Sequence, residues 1–301
     1  MSDMSEKRKC LIAGGSGLIG SHLADALKPD YEVRFLSRQP GGRPNFFSWD
    51  IDAQTYDPAA FKDIDLVVHL AGASVAGGRW TADYKKKIIE SRLSTTRLIA
   101  RALKDTGSVE CAVSASAVGY YGNRGSEAVD ELSEPGSGFL AETSLLWEEA
   151  LAELSKAVKR NVILRIGVVL SKSGGALAEM ARPFRFFAGA IPGSGENFIP
   201  WIHIDDVCGL IAHADKNGWN GVYNAVSPGI VRSREFYTAL ALTLKRPILL
   251  PHVPEALLRI ALGEMADMAL DGANVSSDKA RNAGYRFRYA NLRGALSNLI
   301  G

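Results

Sequence analysis

The sequence predicts an α/β protein built around a doubly wound parallel sheet. A short apolar strand over Lys9–Ala13 is followed by a glycine-rich turn and then by a helix over Ser21–Leu27. Further along, Asp65–Ala73 is a continuous apolar run bounded by small residues, which is typical of a strand buried on both faces. Apolar residues then recur with helical spacing over Trp80–Leu103, as expected of a helix that crosses back over the sheet.

Three glycines, Gly14, Gly17 and Gly20, are predicted to lie in the turn between the first strand and the first helix. Gly14 permits a tight turn, Gly17 lets a pyrophosphate approach the backbone, and Gly20 lets the helix pack against the strand. The helix start adds free N–H groups and the positive end of a dipole. The segment therefore predicts a dinucleotide-binding site, with an ordinary glycine turn as the alternative. The predicted cofactor-binding residues here are Gly14, Gly15, Ser16, Gly17, Leu18, Ile19 and Gly20.

Composition narrows the class of partner. The 301 residues are 47% hydrophobic and 23% charged, which is ordinary for a globular protein. No apolar run approaches the ~20 residues of a membrane span, and no apolar leader precedes the first strand. With a net charge of +2, the chain offers no argument for a nucleic-acid partner. We therefore expect a cytoplasmic protein, a monomer or homodimer, that takes a small-molecule substrate and binds neither membrane nor nucleic acid.

Neither disulfides nor a metal site are expected. The odd number of cysteines and their apolar surroundings favour buried thiols. The three are Cys10, Cys111 and Cys208. One interpretation of the segment that contains His203, Asp205 and Asp206 is a metal or acid/base cluster. Because Asp205 precedes a helical segment, a helix N-cap is the favoured interpretation.

The end of the second strand predicts the type of cofactor. Glu32–Leu36 alternates like a strand, and Ser37 and Arg38 follow where an NAD site would carry an acidic residue for the ribose hydroxyls. A serine hydroxyl and a guanidinium can both bond a 2′-phosphate, and Arg43 is a second candidate. The sequence therefore predicts NADP(H), with a merely polar strand end as the alternative. Phe46–Asp50 is predicted as the third strand, with Asp50 placed to contact the adenine edge.

Small residues and hydroxyls are predicted to line the rest of the site. The small residues end the apolar run, and the hydroxyls follow where a later strand, starting at Cys111, breaks into a loop at Gly119 and Gly122. Ligands sit at the carboxyl ends of parallel strands, so both groups are expected near the nicotinamide end. These predicted residues are Leu70, Ala71, Gly72, Arg92, Ser114, Ser116, Tyr120 and Tyr121. His69, inside the apolar run, is predicted to be a core histidine.

Several motifs together resemble the extended short-chain dehydrogenase/reductases. They are the glycine turn, the strand His69–Gly72, the hydroxyl segment Ser114–Gly122, Leu164–Leu170 and Pro200–Asp206. Within that superfamily the chain resembles the atypical group labelled "epimerase family protein", or sugar-nucleotide epimerase-like. The resemblance covers nearly the whole chain. It implies a Rossmann-type sheet, an NADP(H)-dependent oxidoreductase or epimerase-like activity, and a catalytic role for Ser116.

One departure from that family concerns the catalytic pair. Extended members use Tyr-x-x-x-Lys on the helix after the serine strand, where the lysine lowers the pKa of the tyrosine. Phe139 stands at the tyrosine position and Thr143 at the lysine position. Tyr120 or Tyr121 from the loop is then the candidate proton donor. An NADPH-binding sensor without turnover is the alternative function.

Loop-rich sequence from Ser171 onward predicts a change of domain. We expect a dinucleotide-binding Rossmann domain over residues 1–170 and a mainly substrate-side lobe over residues 171–301. Within the second part, residues 200–226 are expected to return to the Rossmann sheet. Glu255–Leu262 is predicted to be an amphipathic helix of the substrate cap.

Overall fold

The computed structural model of the protein describes residues 7–107 and 109–301. Strands and helices alternate along most of this part of the chain. The strands are β1 Arg8–Ala13, β2 Tyr31–Ser37, β3 Phe46–Asp50, β4 Thr55–Tyr56, β5 Leu66–His69, β6 Val109–Ala117, β7 Ala128–Val129, β8 Val158–Ile166, β9 Val168–Leu170, β10 Ala190–Pro192, β11 Phe198–Ile199, β12 Trp201–His203, β13 Gly221–Ala225, β14 Val231–Arg232, β15 Leu250–Val253 and β16 Asn274–Val275. The helices are α1 Leu18–Leu27, α2 Ala82–Thr106, α3 Phe139–Ala152, α4 Ala176–Arg185, α5 Ile204–Lys216, α6 Ser233–Leu244, α7 Glu255–Leu262, α8 Asp267–Leu270, α9 Asp278–Asn282 and α10 Leu292–Ile300.

Eight strands form the central sheet, in the order β13-β8-β6-β5-β1-β2-β3-β4. Seven of them run parallel, and only the edge strand β4 is antiparallel to its neighbour β3. From β1 the chain moves outward to β2 and β3, then returns to β5 on the other side of β1. This reversal leaves a crevice at the carboxyl ends of β1 and β5, which is where doubly wound sheets bind their ligands.

Alternating side chains of the buried strands pack against two helical layers. On one face, Cys10 and Ile12 of β1 share a core cluster with residues of α1 and α5 such as Leu23 and Ile211. On the other face, Leu11 of β1 shares a second cluster with residues of α2 and α3. Both faces are therefore covered, which explains why the central strands are apolar at nearly every position. The predicted doubly wound α/β fold is confirmed.

A smaller lobe has its own core. Buried side chains from α4, α6 and α10 pack around β9 and β12, whose Trp201 is fully buried. The helical side chains include Leu177, Phe184, Phe236, Leu240 and Leu296. The chain reaches this lobe after β8 but then leaves it again. Helix α5 packs in the helical layer of α1, and β13 pairs with β8 at the edge of the central sheet. The division at residue 170 stays a prediction.

Three local predictions are wrong. Helix α1 begins at Leu18, three residues earlier than expected, so Gly20 lies inside the helix. Residues 161–170, which the apolar pattern predicts as one core strand, form the end of β8 and all of β9, and the two strands separate at Gly167. Glycine is required there because an added Cβ would lie 2.2 Å from the carbonyl oxygen of Pro200. Helix α5 is capped by His203, whose ring accepts a hydrogen bond from the backbone N–H of Asp205 at 3.1 Å, and Asp205 itself is the second helical residue.

The remaining predictions from composition concern thiols, metals and membranes. All three cysteines are buried and free of disulfides. Across residues 7–107 and 109–301, no group of three or more His, Cys, Asp or Glu side chains is arranged to hold a metal ion. Within those same ranges, no helix has both the length and the apolarity needed to cross a membrane.

Candidate dinucleotide and substrate site

Two of the motif glycines are required by the packing of the turn itself. Gly14 has φ +91°, and an added Cβ there would lie 2.8 Å from the carbonyl carbon of Leu70. An added Cβ at Gly20 would lie 2.3 Å from the carbonyl oxygen of Gly14. Both distances are too short for any side chain. These glycines therefore let β1, the turn and α1 pack together.

Gly17 differs, because an added Cβ would meet only the carbonyl oxygen of Gly14, at 3.3 Å, and would otherwise point into open space. Its φ of −77° and ψ of 171° suit any residue. Gly17 is the N-cap of α1 and supplies no side-chain cap, so the first N–H groups of the helix face the same open space. The contact with the Gly14 carbonyl oxygen is tight, but it needs a much smaller shift of the turn than a side chain at Gly14 or Gly20 would. The cradle fits an anion that must approach the backbone closely.

Other residues of the turn contact β2 and the loop before α4. An added Cβ at Gly15 would lie 2.3 Å from the ring of Phe35, so glycine lets β2 approach. The side chain of Leu18 lies close to Gly175, in the loop before α4. Ser16 is exposed and Ile19 is half-buried.

At the end of β2, Arg38 and Arg43 have different environments. Arg38 is exposed, and none of the residues in the described ranges bonds its guanidinium. Arg43 donates to the carbonyl oxygens of Pro40 at 3.1 Å and Gln39 at 3.0 Å. Its guanidinium also lies 3.9 Å from the centre of the Phe46 ring. The Arg43 guanidinium is therefore bonded within its own loop, whereas the Arg38 guanidinium is available to a ligand.

The two other polar residues at this edge shape turns. Ser37, the last residue of β2, accepts a hydrogen bond from the backbone N–H of Gln39 at 3.1 Å. Its hydroxyl proton stays available. Asp50 accepts hydrogen bonds from the N–H groups of Asp52 and Ala53 through one carboxylate oxygen, both at 2.9 Å. The sequence did not anticipate this turn, and the adenine contact of Asp50 stays a prediction.

Arg92 braces the opposite wall of the crevice, where Leu70, Ala71 and Gly72 follow β5. Its Nη1 donates to the carbonyl oxygens of Ala73 at 3.0 Å and Ile88 at 2.9 Å. An added Cβ at Gly72 would lie 3.3 Å from the Arg92 side chain. Burial lowers the pKa of Arg92 to about 10. The residue thus holds the loop after β5 in place, and direct contact with a cofactor stays a prediction.

His69 is a buried core residue, as expected. Its Nε2 lies 3.0 Å from the hydroxyl of Thr96, and burial lowers its pKa to about 3. Ser114 is its register partner on β6 and is also fully buried. Within residues 7–107 and 109–301, neither the Ser114 hydroxyl nor His69 Nδ1 has a hydrogen-bond partner.

A buried ionic network surrounds Ser116. The Ser116 hydroxyl donates to Glu148 Oε1 at 2.6 Å. Arg165 donates to both oxygens of that carboxylate, at 2.9 and 2.8 Å, and its Nη1 donates to the Tyr121 hydroxyl at 3.0 Å. Tyr121 in turn donates to Asn224 Oδ1 at 2.7 Å. The burial of Arg165 acts to lower its pKa, but the bonds and charge of Glu148 outweigh that effect and raise it.

Strand register explains why these residues meet. Ser116 on β6, Arg165 on β8 and Asn224 on β13 are direct neighbours across three parallel strands, so their side chains share one face. Helix α3 packs on that face and brings Glu148. Neither Glu148 nor Asn224 was predicted from the sequence. The one signal for a buried acidic partner was Arg165, a charged residue in the apolar second half of β8.

The two loop tyrosines are not equivalent. Tyr121 is fully buried, its hydroxyl both donates and accepts within the network, and burial raises its pKa to about 12. Tyr120 has its ring 3.4 Å below the Arg165 guanidinium. No residue in the described ranges bonds the Tyr120 hydroxyl. Tyr120 is therefore the tyrosine whose hydroxyl remains available for exchange with a ligand.

The Tyr-x-x-x-Lys positions carry no acid–base group. The hydroxyl of Thr143 donates to the carbonyl oxygen of Phe139 at 2.7 Å, within α3. The Phe139 ring packs edge-on against Trp80, with centroids 4.9 Å apart. Lys85 of α2 reaches the same ring, with its Nζ at 5.1 Å from the centroid, and forms an ion pair with Glu264. A lysine thus reaches this region from an element that the sequence analysis did not connect with it.

The acidic pair at the start of α5 is structural. Asp206 accepts hydrogen bonds from the backbone N–H groups of Arg288 at 2.8 Å and Tyr289 at 3.0 Å. Asp205 accepts from His22 of α1 at 2.8 Å. These contacts join the C-terminal segment and α1 to α5, so both carboxylates have structural partners although neither is the N-cap.

Comparison with known proteins agrees with this architecture. The NAD dependent epimerase/dehydratase family model matches residues 10–225, and a domain of unknown function, DUF1731, matches residues 253–299. The mouse (Mus musculus) epimerase family protein SDR39U1 is 36% identical over 299 residues, covering 97% of this chain and 99% of the mouse protein. Epimerase family protein Mb2239 of Mycobacterium bovis is 36% identical over 288 residues, with 95% of both chains covered.

A solved structure is similarly close. The crystal structure of human epimerase family protein SDR39U1 with NADPH superposes with a TM-score of 0.88 at 32% identity, covering 97% of this chain and 99% of that one. The matched family region contains the glycine turn, the crevice and the Ser116 network. The chain belongs to the NAD-dependent epimerase/dehydratase family.

Proposed function

We propose that the protein is an NADP(H)-dependent oxidoreductase or epimerase-like enzyme that acts on a small molecule. The observation that carries the proposal is the open cradle at Gly17, which lies at the start of α1 beside the point where the strand order reverses. The similarity to human SDR39U1, whose crystal structure contains NADPH, supports the choice of cofactor.

Each part of the cofactor has candidate residues. The turn over residues 14–20 would hold the pyrophosphate, Ser37 and Arg38 the 2′-phosphate, and Asp50 the adenine edge. Leu70, Ala71 and Gly72 would flank the nicotinamide end, with Arg92 bracing their loop and Ser114 below them. When bound, the cofactor supplies hydride transfer. Ser116 and Tyr120 are the proposed catalytic residues, and Tyr121 supports them through the buried network.

The substrate is proposed only as a class. The lobe formed by α4, α6 and α10 stands beside the central sheet and supplies the remaining surface for a small molecule. A sugar nucleotide is the class that the family resemblance suggests.

An NADPH-binding sensor without turnover is the second candidate. It is favoured by Phe139 and Thr143 at the usual acid–base positions and by the commitment of the Ser116 proton to Glu148. Steady NADPH oxidation with any compound of a carbonyl panel would establish the enzyme. Intact NADPH binding without turnover across the panel would favour the sensor.

Arg38→Ala should remove most of the preference for NADPH over NADH. Arg38 is the exposed cation at the end of β2, and a charge-assisted contact to the 2′-phosphate contributes about 1–3 kcal/mol. Calorimetric titration with both cofactors measures the effect. NADPH affinity should fall, while NADH affinity should stay close to the wild-type value.

The matched control is Arg286→Ala, which removes the same charge from an exposed position between α9 and α10. It should leave both affinities unchanged. An Arg38→Ala variant with wild-type discrimination between the two cofactors would show that Arg38 does not read the 2′-phosphate.

A further inference from the structure

We infer that Glu148 fixes the Ser116 hydroxyl as a hydrogen-bond acceptor toward the ligand, so that the site binds an alcohol in preference to the matching carbonyl compound. The inference rests on the proposed function, because it assumes that the ligand reaches Ser116 beside the cofactor. It assigns Glu148, which no sequence motif indicated, as a positioning residue. It also names the chemical class of the ligand as a hydroxyl compound.

The direction of the Ser116 hydrogen bond follows from its partner. An ionised carboxylate can only accept hydrogen bonds, and a serine hydroxyl has one proton. The Ser116 oxygen lies 2.6 Å from Glu148 Oε1, so the Ser116 proton is donated to that carboxylate and not to a ligand. What remains at the Ser116 oxygen is a lone pair. Toward a ligand, Ser116 accepts and does not donate.

Arg165 keeps this arrangement in place. Its guanidinium donates to both oxygens of Glu148, and the two side chains are only 4% and 10% exposed, respectively. The two parallel hydrogen bonds of this ion pair fix the orientation of the carboxylate. Tyr121 and the ring of Tyr120 in turn hold the guanidinium from its other sides. Glu148 thus has no free rotation that would release the Ser116 proton.

The alcohol and carbonyl forms of a ligand differ in what they offer the Ser116 oxygen, since one is a hydrogen-bond donor and the other only an acceptor. An alcohol carries an O–H that can donate to the lone pair of Ser116. A carbonyl oxygen only accepts, so it can pair with the available hydroxyl of Tyr120 but not with Ser116, whose lone pair is then left unpaired. An unpaired polar contact of this kind is expected to weaken binding about tenfold or more.

Two unreactive probes test the preference without turnover. They are para-fluoroacetophenone and the tertiary alcohol made by adding one methyl group to its carbonyl carbon. With the protein saturated by NADP⁺, the ketone cannot be reduced, and the tertiary alcohol has no hydride to give. Fluorine NMR titration reports the dissociation constant of each probe, and a separate NADP⁺ titration by calorimetry reports cofactor binding.

For the wild type, we expect the alcohol to bind about tenfold tighter than the ketone. In Ser116→Ala the ratio should approach one, because the acceptor is gone. The double variant Glu148→Met with Arg165→Met removes the ion pair as a unit, which buried apolar side chains often replace without loss of stability. There Ser116 remains and its proton is released, so the preference should shift to the ketone.

A purely structural role for Glu148 would weaken both probes together and would not reverse their order. Glu149→Met, on the exposed side of the same helix, is the matched control and should keep the wild-type ratio. Equal affinities in the wild type, no measurable alcohol binding, or an alcohol preference that survives Ser116→Ala would each overturn the inference. If the double variant fails to fold, the wild type and Ser116→Ala still decide. Failure of NADP⁺ binding in the wild type would instead refute the proposed function.

Discussion

Replacing Gly17 by valine is expected to abolish NADPH binding while the protein stays folded. The backbone at Gly17 suits any residue, and an added Cβ meets only the carbonyl oxygen of Gly14 at 3.3 Å. The valine side chain would occupy the space through which a pyrophosphate reaches the N-terminus of α1. We expect affinity to fall about a hundredfold or more, or about 3 kcal/mol. Calorimetric titration measures the loss, and thermal unfolding checks the fold.

Gly20→Ala provides the contrast within the same motif. Its Cβ would lie 2.3 Å from the carbonyl oxygen of Gly14, so this smaller substitution should lower the unfolding temperature. Gly17→Val should lower that temperature less, because its Cβ would lie 3.3 Å from the same oxygen. Wild-type NADPH affinity in Gly17→Val would show that the cradle is an ordinary turn.

Ser116→Ala should lower turnover by ~10²-fold or more, because Ser116 would accept a hydrogen bond from the hydroxyl that forms as the carbonyl is reduced. NADPH affinity should be nearly unchanged, because the glycine turn and Arg38 lie on other elements. Single-turnover NADPH oxidation against a carbonyl panel gives the rate, and calorimetry gives the affinity.

The tyrosine variants complete this comparison. Tyr120→Phe should also slow the reaction, because its hydroxyl has no partner among the residues of the described ranges. Tyr121→Phe removes a hydroxyl that bonds Arg165 and Asn224, so its main effect should be on stability. Activity that survives the loss of Ser116 and of both tyrosine hydroxyls would reject this assignment of the site. An inactive wild type that binds NADPH would favour the sensor.

Much of the fold could be predicted because its signals are local. The run Leu66–His69 is apolar at nearly every position, which only a strand covered on both faces requires. Boundaries were less predictable. Gly20 was expected in the turn, because the helix was predicted to begin at Ser21. It lies inside α1 since only a residue without a side chain can pack against Gly14 there.

The glycine turn and the exposed cation after β2 were also predictable in outline, whereas the buried network around Ser116 was not. Gly17 and Arg38 belong to short segments whose chemistry can be interpreted in place. Glu148, Arg165 and Asn224 come from three elements, and their contact with Ser116 depends on strand register and on the packing of α3. A single sequence contains no pairing information of that kind.

Adjacent residues can also differ in ways that composition does not show. Tyr120 and Tyr121 were equal candidates, yet the two rings lie nearly perpendicular, at 86°, and only Tyr121 has its hydroxyl inside the network. The tight turn over Val118–Tyr121 sets these directions. The two hydroxyls therefore could not be separated from the sequence, and their place in the site stays a prediction.

Calorimetric titration of the wild-type protein with NADPH and with NADH tests the central claim most directly. Because Arg38 is available to a 2′-phosphate and no carboxylate follows β2, NADPH should bind more tightly by about 1–3 kcal/mol. Equal affinities for the two cofactors, or no binding of either, would contradict the account.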